Sequence, residues 1–123
     1  MIKSIGLDVV EIKRIKEDIE KYGERFIHRI LGSQEMLQYE KRKDKAQFLS
    51  GRFAAKEAVI KALGRYLTDK PTLTEIQIIN DSTGQPELCL SESILTKVRD
   101  KCFISITHEK SVAAAVAIFS EEK

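Results

Sequence analysis

Tryptophan is absent from these 123 residues, and cysteine, proline, methionine and histidine occur only twice each. Cys89 and Cys102 form no metal-like spacing. They read as two buried thiols in a reducing compartment. With two prolines there is no Pro-rich linker, and no repeat or low-complexity tract divides the chain, so one domain over residues 1–123 is expected. No apolar run approaches the roughly 18 residues that cross a bilayer, and no leader-like apolar segment follows Met1. A cytoplasmic protein with no membrane partner is therefore expected. An excess of one charge is also lacking. Lys and Arg number 21 and Asp and Glu 19, a net charge of +2, which excludes a bulk nucleic-acid binder. Poor interleaving of aromatics with the bases argues against single-stranded nucleic acid.

What is present is an ordinary globular composition, 42% hydrophobic and 33% charged. Chains of this size bury only about two-thirds of their unfolded surface, so a deep site calls for a neighbouring subunit. Periodicity predicts a strand over 2–10, with Ile5, Leu7 and Val9 on one face and Gly6 and Asp8 on the other. A helix over 10–22 follows, with Ile12, Ile15, Ile19 and Tyr22 facing the core and Gly23 as its stop. A second helix covers 24–31, and Ser33 is expected to cap a third over 34–41. The long helix is expected over 45–67, carrying an apolar stripe that includes Phe48, Val59 and Leu63. Strands at 74–79 and 86–90 form a hairpin about the turn 81–84, a short helix spans 91–99, and strands at 102–107 and 112–119 end the chain. Helices early and strands late argue for an α+β fold.

Residues 51–64, GRFAAKEAVIKALG, carry the densest chemistry. At about 100° per residue, Ser50, Ala54, Glu57 and Lys61 gather on the side away from the apolar stripe. Glu57 and Lys61 then form either an exposed i,i+4 pair or an acid and a base beside a metal ion and a phosphate. Arg52 and Lys56 project toward the apolar arc, where an unpaired charge is costly. Either their stems snorkel, or that side meets a polar partner, a subunit or an anionic ligand. Asp8 fits a capping box with Glu11, or it offers a carboxylate oxygen to a hard cation; Mg²⁺ takes only one or two protein carboxylates. His108 ends a strand, as an idle loop residue or as a phosphate donor. The turn around Gly84 and Pro86 has a plain hairpin explanation, but also allows close backbone approach to a ligand. Lys13, Arg14, Lys21, Arg25 and Arg29 form either a solvated face or a docking surface for an acidic protein.

In this order and at these distances the pieces resemble the bacterial holo-acyl-carrier-protein synthases, the small class of 4′-phosphopantetheinyl transferases. The resemblance spans nearly the whole chain. It rests on the segments from Ile5 to Ile15 and from Phe48 to Ala58, on Lys61-Ala62-Leu63-Gly64, Gly84-Gln85-Pro86, and Ser105-Ile106-Thr107-His108. It implies N-terminal helices with one long central helix packed on an antiparallel sheet. It implies transfer of the phosphopantetheine arm of coenzyme A to a serine of apo-acyl carrier protein in fatty acid biosynthesis, releasing adenosine 3′,5′-bisphosphate. By the same resemblance, Asp8 and Glu57 bind Mg²⁺ and, with Lys61, form the catalytic set. Lys61, Arg52, His108 and the Gly84–Pro86 turn contact coenzyme A. Arg14, Lys21 and Arg25 belong to the carrier-docking surface. A homotrimer with each site between two subunits is implied, and the trimer is then expected to supply partners for Arg52 and Lys56.

Two other classes compete. A non-catalytic module docking an acidic protein through residues 13–29 uses the basic helix but leaves Asp8, Glu57 and His108 idle. A different Mg²⁺-dependent nucleotide enzyme is disfavoured, because no Gly-rich phosphate loop of the Walker type is present.

Overall fold

The computed structural model describes residues 1–121. The elements in chain order are β1 (Ile2–Glu11), α1 (Ile12–Tyr22), α2 (Glu24–Ile30), α3 (Ser33–Glu40), α4 (Lys45–Leu63), β2 (Ile76–Asn80), β3 (Pro86–Leu90), α5 (Glu92–Leu95), β4 (Lys101–His108) and β5 (Val112–Ser120). A short 3₁₀ turn, Leu73–Glu75, leads into β2. Strands β1, β5 and β4 form one antiparallel sheet in that order, and β2 and β3 form a separate hairpin. α4 lies between the two. This is the expected α+β arrangement of helices and antiparallel sheet around one long central helix.

Small residues explain why α4 can lie so close to the larger sheet. Ala113, Ala115 and Ala117 of β5 are buried against it, and Ala54, Ala55, Ala58 and Ala62 of the helix are fully buried in return. On β1 the contact is tighter still. A Cβ added to Gly6 would stand 1.9 Å from the Ala58 carbonyl oxygen. The Ser4 hydroxyl donates to the Ala62 carbonyl at 2.7 Å one turn further along the helix. Gly6 and Asp8 therefore face the helix. The apolar set Ile5, Leu7 and Val9 lies on the sheet's other face, 62%, 60% and 59% exposed, the face that also carries Phe103 of β4 at 51%.

α4 starts where the Asp44 side chain accepts from the Gln47 N–H at 3.0 Å, an N-cap. It ends at Leu63 rather than residue 67, because the chain tightens into a turn in which Tyr66 and Leu67 both donate to the Leu63 carbonyl. Unlike a surface helix, α4 has no polar back. Ser50 and Ala54, expected to face outward, are buried on the sheet side, two turns and one turn before Ala58, which packs on Gly6. Beyond its first turn, only the edge of Phe53, Glu57, Ile60 and Lys61 reaches solvent.

Other expectations also change. β1 continues through Glu11, so Asp8 lies within a strand and caps nothing. Glu11 itself occupies the N-cap of α1 without a side-chain bond. Gly32, not Ser33, precedes α3, and the Glu35 carboxylate accepts from its N–H at 2.9 Å. The helix expected over 91–99 is regular only from Glu92 to Leu95. Tyr22 is exposed rather than core-facing. Cys89 is exposed on β3, not buried, because alternate residues of that hairpin strand face water. Cys102 is half-buried, and burial pushes its thiol up to about 12.

Two outcomes follow from this packing. Gly6→Ala forces β1 off α4 and is expected to cost roughly 1–3 kcal/mol, a fall of about 5–15 °C in thermal unfolding midpoint by calorimetry; an unchanged midpoint would refute the close contact. With a disulfide reagent at pH 8, Cys89 is expected to react first. Cys102 should lag at least about tenfold until the protein is unfolded, with the order read by peptide mass mapping of each thiol.

Candidate functional site

The register between β1 and α4 determines which side chains meet. Ser4 sits at Ala62 and Gly6 at Ala58, so the strand runs antiparallel to the helix. Each two-residue step of the strand, about 6.7 Å, is met by roughly one helical turn of 5.4 Å. The next step sets Asp8 against the turn that carries Glu57. Lys61 reaches back from the following turn. Its Nζ donates to Asp8 Oδ1 at 3.0 Å and to the Leu7 carbonyl at 2.9 Å. Asp8 keeps 19% of its side chain exposed and Lys61 55%. The structure thus joins Asp8 to Lys61 and removes the capping explanation for Asp8.

These groups suit a hard divalent cation. The donors are oxygens: the Asp8 carboxylate and the Leu7 carbonyl, which share the Lys61 ammonium, with the Glu57 carboxylate on the neighbouring turn of α4 as the second acid that could join them. Lys61 shows that this oxygen set already attracts a positive charge. No group of three or more His, Cys, Asp or Glu forms a denser cluster among the described residues. A two-carboxylate site that leaves positions for water and phosphate matches the habits of Mg²⁺.

Arg52 and His108 meet elsewhere. With Arg42, Lys43, Gly51 and Asn80 they line a cavity of about 290 Å³ at the N-terminal half of α4. Gly51 belongs there because α4 comes close to β4: a Cβ on it would lie 3.1 Å from the Ile106 side chain. Arg52 is buried, with its guanidinium 4.5 Å from the Phe48 ring and Arg42 stacked 4.7 Å from the same ring. Burial lowers Arg52 to about 10, opposed by Glu35 and reinforced by Arg42, so it remains a cation at neutral pH. Its Nη2 donates to Asn80 Oδ1 at 3.0 Å, while its Nε has no partner. Arg42, Lys43, Arg52 and His108 outnumber the one carboxylate in the lining, Asp44, so the cavity has basic walls that could hold an anion. Sequence reasoning missed Arg42, Lys43 and Asn80 as its walls; the basic run 41–45 was the available signal.

The partners of Arg52 and Lys56 lie within the chain, not across an interface. Lys56 pairs with Glu35 at 2.5 Å, both fully buried. The Gly84–Pro86 turn stands at the tip of the hairpin, with Gly84 at φ 88 and Pro86 paired to Asn80 across the strands. It therefore lies beside the Arg52 cavity without lining it. Arg14, Lys21 and Arg25 are all exposed. Arg25 borders a shallow cavity of about 540 Å³ between α1 and α2, with Asp18, Tyr22, Phe26 and Arg29.

One chain does not unite the two groups. Arg52 and Glu57 point about 140° apart around α4. Asp8 lies on β1 and His108 on β4, opposite edges of the sheet, with β5 between them.

Removing the Lys61 charge frees the Asp8 carboxylate. Lys61→Met is expected to tighten Mn²⁺ binding about tenfold in the absence of other ligands, followed by electron paramagnetic resonance. Unchanged or weaker binding would count against a cation site at Asp8.

Comparison with known proteins shows the family. A family profile described as the 4′-phosphopantetheinyl transferase superfamily matches residues 4–117. A holo-[acyl-carrier-protein] synthase of Protochlamydia amoebophila is 41% identical over 98% of this chain and 99% of its own. The crystal structure of the holo-[acyl-carrier-protein] synthase of Neisseria meningitidis superposes with a TM-score of 0.87 at 30% identity, covering 98% of this chain and 100% of that one. The Helicobacter pylori synthase, solved in complex with coenzyme A, superposes with a TM-score of 0.83 at 29% identity, over 94% and 99% of the two chains. The chain therefore belongs to the 4′-phosphopantetheinyl transferase superfamily, within its holo-[acyl-carrier-protein] synthase family of enzymes.

Proposed function

We propose that this protein, a single domain, moves the 4′-phosphopantetheine group of coenzyme A onto a serine of an apo-acyl carrier protein. The reaction is Mg²⁺-dependent, releases adenosine 3′,5′-bisphosphate and serves fatty acid biosynthesis in the cytoplasm. The observation that carries this reading is the Asp8–Lys61 pair, in a chain closely related to holo-[acyl-carrier-protein] synthases over nearly its full length.

The serine oxygen forms a bond to the phosphorus that bears the pantetheine, and the bond from that phosphorus to the leaving phosphate breaks. Negative charge grows on the leaving and nonbridging oxygens. Asp8 and Glu57 would hold Mg²⁺, which supplies charge neutralisation at the pyrophosphate when bound. The Lys61 ammonium, on a flexible four-carbon stem, turns from Asp8 to the leaving phosphate, which it neutralises or protonates. The serine proton passes to a carboxylate of the site, where half-exposed Glu57 is the accessible acceptor. Arg52 and His108, with Arg42 and Lys43, hold the phosphate-bearing nucleotide end of coenzyme A. Gly84 and Pro86 border it.

The two groups act together if a second copy contributes one of them. Different surfaces then meet, a heterologous contact that closes into a ring by rotation. A homotrimer is the ring that family membership favours. The bare sheet face of Ile5, Leu7, Val9 and Phe103, on the opposite face of the sheet from Asp8, offers apolar area for that contact. Arg14, Lys21 and Arg25 on α1 and α2 suit the acidic surface of a carrier protein, with Tyr22 and Phe26 as apolar contacts.

Incubation with coenzyme A, Mg²⁺ and an apo-acyl carrier protein is expected to add about 340 Da to the carrier by intact mass. EDTA should abolish the gain. Glu57→Gln should slow it about 100-fold or more while the protein stays folded. A carrier that other transferases modify, yet gains nothing here, would contradict the proposal.

A further inference from the structure

α3 lies along the outer edge of β2 and replaces a missing strand with side chains. Glu35 Oε2 accepts from the Ile78 N–H at 2.8 Å. One turn later, Gln38 Oε1 accepts from the Asn80 N–H and Gln38 Nε2 donates to the Asn80 carbonyl, both at 3.4 Å. α4 adds a cation to each level. Lys56 Nζ donates to Glu35 Oε1 at 2.5 Å, to the Leu73 carbonyl at 3.1 Å and to the Ile30 carbonyl. Arg52, one turn earlier on α4, donates to Asn80 Oδ1 at 3.0 Å and to Gln38 Oε1 at 3.4 Å. Two rungs result, each crossing α4, α3 and β2.

The rungs differ in strength. Lys56 and Glu35 have no exposed surface, and their bonds are short and charge-assisted. The rung of Arg52 is longer and uses neutral amides. No carboxylate lies within ion-pair distance of Arg52 among the described residues, its Nε has no partner, and it lines the basic cavity. Its charge is thus available to an anion, while its direction depends on where Asn80 and Gln38, its two hydrogen-bond acceptors, are held. The spacing of the second rung is inherited from the first, because Glu35 and Gln38, Lys56 and Arg52, and Ile78 and Asn80 are fixed pairs on three rigid elements.

We propose that Glu35 and Lys56 are positioning residues for substrate binding: their buried ion pair sets the register of α3, α4 and β2 and thereby aims Arg52 at the anionic end of coenzyme A. This inference rests on the function proposed above. Neither residue touches the substrate. Their effect is on affinity, and it passes through Arg52.

Calorimetric titration with coenzyme A tests this on wild type, Arg52→Met, Glu35→Gln and the double variant, with Mn²⁺ binding measured in parallel. Arg52→Met and Glu35→Gln should each weaken coenzyme A binding about tenfold or more. Glu35→Gln should add little once Arg52 is gone, and Mn²⁺ affinity should stay at the wild-type value throughout. Coenzyme A binding by Glu35→Gln at wild-type strength overturns the inference, as does an equal loss with and without Arg52. If Glu35→Gln does not fold, the doubly apolar Glu35→Met/Lys56→Met protein replaces it, since buried ion pairs tolerate exchange for apolar side chains of similar volume. That protein should fold and show the same loss; wild-type affinity in it overturns the inference. A wild-type protein that binds no coenzyme A removes the proposed function and this inference with it. A loss in Arg52→Met without one in Glu35→Gln removes this inference alone.

Discussion

The contact between Gly6 of β1 and the Ala58 carbonyl of α4 fixes the position of most groups in the site. At 1.9 Å from a hypothetical Cβ, no other residue fits without moving strand or helix. This approach sets the register that places Asp8 against the turn of Glu57 and brings the Lys61 ammonium within 3.0 Å of Asp8. The alanines of β5 and α4 extend the same close packing across the sheet. The site therefore stands on rigid elements and not on loops, which suits chemistry that depends on holding two phosphates and a hydroxyl in line.

Cations on α4 divide into two kinds by what surrounds them. Lys61 is exposed and forms an ion pair that water screens, so it can leave Asp8 at little cost. Lys56 is fully buried, and desolvation pulls its affinity for a proton down while Glu35 pulls it up. Such a pair contributes little net stability, but breaking it leaves an uncompensated charge inside the protein. Arg52 lies between these extremes, buried by Phe48 yet paired only to amides.

The fold was largely legible in the sequence, because strand and helix periods were clean and turns fell at Gly23, Gly32 and Asp81–Gly84. Errors came where tertiary packing overrides local pattern. Asp8-Val9-Val10-Glu11 has the spacing of a capping box, but pairing with β5 carries β1 through Glu11. Ser50 and Ala54 sit on the polar side of a helical wheel, yet they continue the row of Ala58 and Ala62 that packs on the sheet and are buried with it. The apolar face of β1 points away from this chain's core, which alternation alone does not reveal. The partners of Lys56 and Arg52 were illegible for a simpler reason: Glu35, Gln38 and Asn80 are 14 to 28 residues distant from them, and nothing local marks them. Asp8, Glu57, Lys61 and His108 were legible as a set only through family resemblance, since each has an ordinary structural explanation alone.

Within one chain the carboxylate–lysine group and the basic cavity open on opposite sides of α4, so the account requires a second copy to complete each site. Subunit complementation tests this most directly. One chain carries Asp8→Asn, and another carries Arg52→Met with His108→Ala; each alone is expected to be inactive at limiting coenzyme A. In a ring of mixed subunits, roughly one site in four joins an intact half from each chain. Co-expression should therefore restore transfer to about a quarter of the wild-type rate. A mixture no more active than its separate components, despite mixed rings, would show that each site is built from a single chain and would contradict the account.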